Sequence, residues 1–218
     1  MSTIVKICGL STPETLDAAL DAGADMVGFV FFQPSPRNIT LEQGRALGRQ
    51  ARGRAIRAAL TVDAEDALLA SIVEALEPDL LQLHGRETPE RTAAVKARFG
   101  IPVMKALPVE SAADLAAPAR YAAAADRLLF DARAPRGATR PGGLGRPFDW
   151  TVLQGFASPL PYLLSGGLDA DNVAEALRVT RAPGVDVSSG VEREPGVKDP
   201  GLIRAFVRAA RAPMMSPA

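Results

Sequence analysis

Cysteine, histidine and unbalanced charge are scarce in this chain, and each scarcity excludes something. Cys8 is the only cysteine among 218 residues, so no disulfide forms within the chain. No N-terminal stretch joins basic residues, a long apolar run and a small-residue cleavage site, and with the lone thiol this sets the cytoplasm as the expected compartment. His84 is the only histidine, and no carboxylates cluster at ligand spacing, which argues against a metal site. Lysine plus arginine equals aspartate plus glutamate at 25 each. Without a net basic field, neither nucleic acid nor an anionic membrane is an expected partner, and any anion must be bound locally. No run of about 18 apolar residues is present to span a bilayer.

What the chain does have is a regular alternation of strand and helix patterns. Val5-Lys6-Ile7-Cys8 stops at Gly9, and Ser11 or Thr12 with Pro13 starts a helix that reaches Gly23. Met26 to Phe32 is continuously apolar, as a strand covered on both faces requires, and runs into Gln33-Pro34-Ser35-Pro36-Arg37-Asn38. Thr40 caps a helix to about Ala51, Ile56 to Val62 is the third strand, and Asp63 or Ala64 opens a helix through Leu76. Leu80 to Leu83, Val103 to Leu107, Arg127 to Asp131, Pro161 to Leu164 and the stretch from Val185 supply the remaining strands. Further helices are expected over Pro89 to Phe99, Ser111 to Tyr121, Asp171 to Val179 and Pro200 to Arg211, with a short one restarting at Phe148-Asp149-Trp150. Ala132 to Pro147, rich in glycine and proline, is the longest irregular stretch, and loops of that length usually serve function or are disordered. Eight strand–helix units with no break in composition indicate an α/β protein, a (β/α)8 TIM barrel in a single domain over residues 1–211, with 212–218 as a flexible tail.

In such a barrel the active site lies at the C-terminal ends of the strands. The residues found there are Cys8, His84, Asp131, Arg37 in its proline-stiffened loop, and two glycine turns, Gly166-Gly167 and Ser188-Ser189-Gly190. Glycine lets backbone amides approach a ligand closely, so the two turns read as a phosphate cradle, placed where barrels often hold phosphate. Cys8 and Asp131 supply a base and an acid well apart across the mouth. For each there is a plainer alternative, a small buried hydrophobe for Cys8 and a loop cap for Asp131. His84 reads as a hydrogen-bonded core or rim histidine rather than a ligand, and Arg37 as a clamp for carboxylate or phosphate or as an ordinary solvated arginine. Strand parity turns Lys6 and Asp186 inward on the strands that close the barrel. An unpaired interior charge is costly, so the two are expected to form a buried structural pair.

Lys6-Ile7-Cys8-Gly9, Gly28-Phe29-Val30-Phe31 with Ser35-Pro36-Arg37, Gln82-Leu83-His84-Gly85, Phe130-Asp131, Gly142-Gly143, Phe148-Asp149-Trp150, Ser165-Gly166-Gly167 and Asp186 through Glu192 together resemble the phosphoribosylanthranilate isomerases over nearly the whole chain. The resemblance implies an Amadori rearrangement in tryptophan biosynthesis, with N-(5-phosphoribosyl)anthranilate as the small-molecule substrate. Asp131 would protonate the ribose ring oxygen and Cys8 would take the C2 proton, with no metal or organic cofactor. Arg37 would meet the anthranilate carboxylate, and the amides around Gly166, Gly167, Ser189 and Gly190 would hold the phosphate, with Gly143 a further candidate. The chain is expected to act as a monomer or homodimer. Two positions depart from the family pattern: Leu144 replaces a hydroxyl residue after the glycine pair, and Pro34 is shifted by one place. Other phosphosugar barrels, such as a histidine-pathway isomerase or a pentose-phosphate epimerase, share the phosphate turns but need a carboxylate at Cys8 or metal ligands. A barrel that binds phosphosugars without turnover is the non-enzymatic alternative.

Overall fold

Short apolar runs become strands here because both of their faces are covered. The computed structural model describes residues 3–134, 137, 142 and 148–212. Strands β1 (Ile4–Cys8), β2 (Met26–Phe31), β3 (Ile56–Thr61), β4 (Leu80–Leu83), β5 (Val103–Val109), β6 (Arg127–Ala132), β7 (Tyr162–Leu164) and β8 (Gly184–Val187) form a closed parallel barrel in chain order, β8 returning to β1. β2 is buried along its whole length, which its unbroken apolar sequence anticipates. Around the barrel lie α1 (Pro13–Asp21), α2 (Leu41–Ala51), α3 (Asp66–Leu76), α4 (Pro89–Phe99), α5 (Val173–Thr180) and α6 (Pro200–Arg211). Thr12, Thr40 and Thr88 cap α1, α2 and α4 by accepting the amides of Thr15, Gln43 and Arg91, satisfying donors that a helix leaves open at its start. No described helix is long and apolar enough to cross a membrane.

Several elements differ from their sequence expectation, for local reasons. The helix expected over Ser111–Tyr121 is two 3-10 segments, Ala112–Ala116 and Pro118–Tyr121. Pro118 has no N–H to donate and its ring opposes the carbonyl four residues back, so one continuous helix cannot pass. The turn after Phe148 is likewise a 3-10 segment, Trp150–Leu153, begun by Asp149 accepting the Thr151 amide. α3 starts at Asp66 because Asp63 takes a left-handed backbone (φ 48°). There its carboxylate accepts the Arg86 amide at 2.6 Å, tying the loop after β3 to the loop after β4. Beyond β8 the chain makes a small antiparallel ribbon, β9 (Glu192–Glu194) and β10 (Val197–Lys198), absent from the sequence reading. Apart from Ala212, the expected flexible tail lies outside the described residues.

Inside the barrel the side chains are layered. Met26, Ala58, Leu80, Met104, Ala106, Leu129 and Leu163 make an apolar floor. Cys8, Val30 and Leu60 pack near the rim, and the buried polar groups Lys6, Gln82 and Asp186 occupy the inward positions between. Outward parity places Lys105 of β5 between barrel and helices, where a lysine is rarely found. It is 1% exposed, and its Nζ reaches the Leu83 and Gly85 carbonyls at 3.1 and 2.8 Å and Glu87 Oε2 at 2.8 Å. Glu87 also accepts the amides of Asp63 and Gly85, each at 2.9 Å, so one buried ion pair holds the turn that carries His84. Lys105→Met is expected to lower unfolding stability by about 3–5 kcal/mol, because Glu87 is left buried without its cation. A loss below about 1 kcal/mol in denaturant titration would show that the pair is not needed.

Candidate active site

Cys8 ends β1 on the inner face, 3% exposed, with Lys6 one layer below it. Lys6 and Asp186 are register partners across the closing seam, and Lys6 Nζ donates to Asp186 Oδ1 at 2.7 Å. The second Asp186 oxygen accepts Ser165 Oγ at 3.1 Å. The expected pair is therefore present, and its ammonium stands beside the thiol. Gly28 of β2 faces both, and a Cβ there would lie 2.9 Å from Cys8 Sγ and 3.0 Å from Lys6 Nζ. Burial works to strip the Lys6 proton, but Asp186 and then Cys8 outweigh it and hold the ammonium above the ordinary lysine value. Burial pushes the Cys8 thiol up, and the Lys6 charge pulls against that rise without cancelling it.

Asp131, near the end of β6, is buried to 5% exposure, with Oδ1 accepting the Ala132 amide at 2.9 Å. Its Oδ2 lies 3.2 Å from His84 Nε2, and His84 Nδ1 lies 3.1 Å from Gln82 Nε2. Gln82 Nε2 at Nδ1 orients the ring so that its own Nε2 points at Asp131. His84 is thus a rim histidine, and its partner is the carboxyl singled out as the acid. Gly142 of the long loop sits against this pair: a Cβ there would collide with Asp131 Oδ2 and lie 2.9 Å from His84 Nε2. Gly143 and Leu144 lie outside the described residues.

The two glycine turns lie side by side. Gly166 and Gly167 are both left-handed (φ 90° and 66°), a conformation glycine adopts without steric cost. Their amides have no protein acceptor among the described residues, as a ligand-binding nest requires. Asn172 Nδ2 holds the Gly167 carbonyl at 2.9 Å. Gly190 packs on the Leu168 carbonyl, where a Cβ could not fit, which brings the turn after β8 against the turn after β7. Ser188 departs from the expected cradle in that its carbonyl and Oγ accept Lys198 Nζ at 2.8 and 3.3 Å.

Arg37 is 4% exposed, which removes the reading of a solvated arginine. Its Nε and Nη2 donate to Glu192 Oε1 and Oε2 at 2.7 and 2.8 Å, the bidentate geometry that orients a guanidinium plane most strongly. Lys198 Nζ donates to the same Oε1 at 2.6 Å. Burial would raise the Glu192 carboxyl, but Arg37 and Lys198 hold it below the ordinary range. Burial outweighs Glu192 at Lys198 and lowers that ammonium to about 8. Glu192 and Lys198 had no role in the sequence reading, and neither had Lys105, Glu87 or Gln82. Gln82 and Glu192 stand within motifs of the family resemblance, and the other sequence signals are a charge inside an apolar run at Lys105 and a polar residue of inward parity at Gln82.

The chain's likeness to known proteins agrees with this geometry. The family model described as N-(5'phosphoribosyl)anthranilate (PRA) isomerase matches residues 5–209. The N-(5'-phosphoribosyl)anthranilate isomerase of Bradyrhizobium diazoefficiens is 68% identical over 212 residues, 97% of this chain and 95% of that protein. The enzyme of that name from Nitrobacter winogradskyi is 66% identical, covering 97% of this chain and 94% of its own. Among solved structures, phosphoribosyl anthranilate isomerase from Thermotoga maritima aligns with a TM-score of 0.86 at 33% identity, over 95% of this chain and 98% of that one. A phosphoribosyl anthranilate isomerase in complex with reduced 1-(o-carboxyphenylamino)-1-deoxyribulose 5-phosphate aligns with a TM-score of 0.83 at 32% identity, over the same shares of the two chains. By sequence and by fold, the chain belongs to the N-(5'-phosphoribosyl)anthranilate isomerase family.

Proposed function

We propose that Asp131 and Cys8 carry out the Amadori rearrangement of N-(5-phosphoribosyl)anthranilate to 1-(2-carboxyphenylamino)-1-deoxyribulose 5-phosphate in this chain. Asp131 gives its proton to the ribose ring oxygen, the bond from that oxygen to C1 breaks, and the nitrogen lone pair closes a protonated Schiff base. Cys8, as thiolate, removes the C2 proton, and the electrons left behind form an enolamine. Loss of the O2 proton and gain of one at C1 give the aminoketone, so atoms and charge balance without an external reactant. The observation that carries this reading is the pairing of each reacting group with a buried partner: Cys8 with Lys6, and Asp131 with His84 at 3.2 Å. The Gly166-Gly167 amides with the turn Ser188-Ser189-Gly190 are the phosphate site in this reading, and Arg37 meets the anthranilate carboxylate.

Lys6 takes a second role here, beyond the structural pair. An ammonium beside Cys8 favours the thiolate that must take the C2 proton, and Asp186 keeps that ammonium charged in the interior. A free thiol used as a base also needs a reducing compartment, which supports the cytoplasm. The Thermotoga maritima relative is named as dimeric, and we place this chain as a monomer or homodimer in one domain over 1–211.

With N-(5-phosphoribosyl)anthranilate supplied to the purified protein, Cys8→Ser and Asp131→Asn are each expected to lower kcat by about 10²–10⁴-fold. Turnover like that of the parent protein in either variant would remove the role given to that residue. Because Cys8 is the only thiol, its ionisation is directly visible in ultraviolet absorbance. In the free protein the thiolate is expected to form with a midpoint above the ordinary thiol value of about 8.5. Lys6→Met should move it further up, since a cation is lost and Asp186 remains. A midpoint that stays in place in Lys6→Met would show that Lys6 does not act on the thiol.

A further inference from the structure

The ribbon after β8 is the part of the fold that neither the acid nor the base uses, yet it carries two fully buried charges. Glu192 and Lys198 face each other as register partners on β9 and β10, with side chains 3% and 0% exposed. Burying a carboxylate and an ammonium at a loop is costly unless each is held in good geometry, and here the geometry converges on Arg37. Both Glu192 oxygens are occupied by its guanidinium. Lys198 shares Oε1 and ties the ribbon to the Ser188 carbonyl, at the foot of the turn assigned to phosphate. Two glycines close the remaining freedom. A Cβ on Gly9, next to Cys8, would stand 2.7 Å from Arg37 Cδ, and one on Gly196, in the ribbon turn, would stand 2.5 Å from the Pro36 carbonyl oxygen. The stem of Arg37 is thus packed on the residue after the base, while its head is gripped by the ribbon.

We propose that Glu192, braced by Lys198, is a positioning residue that aims Arg37 at the aryl carboxylate of the substrate. The ribbon thereby sets the preference for a substrate bearing that carboxylate. This rests on the reading of Arg37 given above. A guanidinium free to swing would still attract the carboxylate but would hold the aryl ring in many poses, and displacement of a bound group by about 1 Å can cost 10²-fold.

The test compares N-(5-phosphoribosyl)anthranilate with N-(5-phosphoribosyl)aniline, which lacks the carboxylate, in the parent protein, Arg37→Met, Glu192→Gln and Lys198→Met, with thermal melting to establish that each variant is folded. Glu192→Gln is expected to lower the preference in kcat/KM for the anthranilate substrate by about tenfold or more, with the loss larger in KM than in kcat. Lys198→Met is expected to do the same, and it decides the matter if Glu192→Gln does not fold. A preference within about twofold of the parent protein's in the folded variants, while Arg37→Met abolishes it, would overturn the positioning role alone. A preference that survives Arg37→Met would overturn the Arg37 reading, and the proposal with it.

Discussion

Closing the barrel between β8 and β1 brings a buried ammonium and a buried carboxylate into register, and the site is assembled on that contact. Lys6 and Asp186 are inward on adjacent strands, so a slip of one residue in either would turn one charge out of the barrel. The pair reaches past its own strands. Lys6 stands beside Cys8 and Asp186 accepts Ser165 Oγ, one residue before the left-handed Gly166. A single ion pair therefore links Cys8 on β1, the proposed base, with the closing strand β8 and the turn of Gly166 after β7.

The interior sets the strength of these effects. An apolar floor below Lys6 keeps the local dielectric low, so a charge beside Cys8 counts for more than it would in water. The same floor raises the cost of the thiolate, and the two act against each other at one sulfur. Across the mouth Asp131, the proposed acid, has no lysine beside it among the described residues. Its neighbour is the His84 imidazole, oriented by Gln82, whose other amide atom, Oε1, is buried without a partner among the described residues. The two groups of the proposed reaction thus stand in different settings, Cys8 beside an ammonium and Asp131 against an imidazole.

Much of the barrel was legible because apolar runs and threonine caps are local signals, read within one turn or one strand. Where local signals competed, the reading failed: Pro118 breaks the pattern over Ser111–Tyr121, and Asp63 leaves the helix it was expected to open in order to bind Arg86. The ribbon of Glu192–Glu194 and Val197–Lys198 is too short for any alternation to show. In the site, Cys8 and Asp131 were visible because strand ends are visible, and parity sufficed to pair Lys6 with Asp186. Glu192 was not visible as the partner of Arg37, because 155 residues separate them and only closure of the barrel brings them together.

The three fully buried lysines share one logic. Lys6, Lys105 and Lys198 lie inside the barrel, outside it and above it, and each meets a carboxylate, at 2.7, 2.8 and 2.6 Å. Such pairs add little net stability, since the attraction mainly offsets desolvation, but removing one partner leaves a charge that the interior cannot solvate. Their effect is therefore on position more than on stability. Apolar packing alone tolerates shifts and repacking as long as volume is kept, and a shift of that size is what acid–base transfer does not tolerate. Each pair lies next to a group of the proposed site: Lys6 beside Cys8, Lys105 around the turn of His84, and Lys198 beneath Arg37 and Ser188. A barrel held by apolar layers supplies the stability, and three buried charges remove the freedom those layers leave at its mouth.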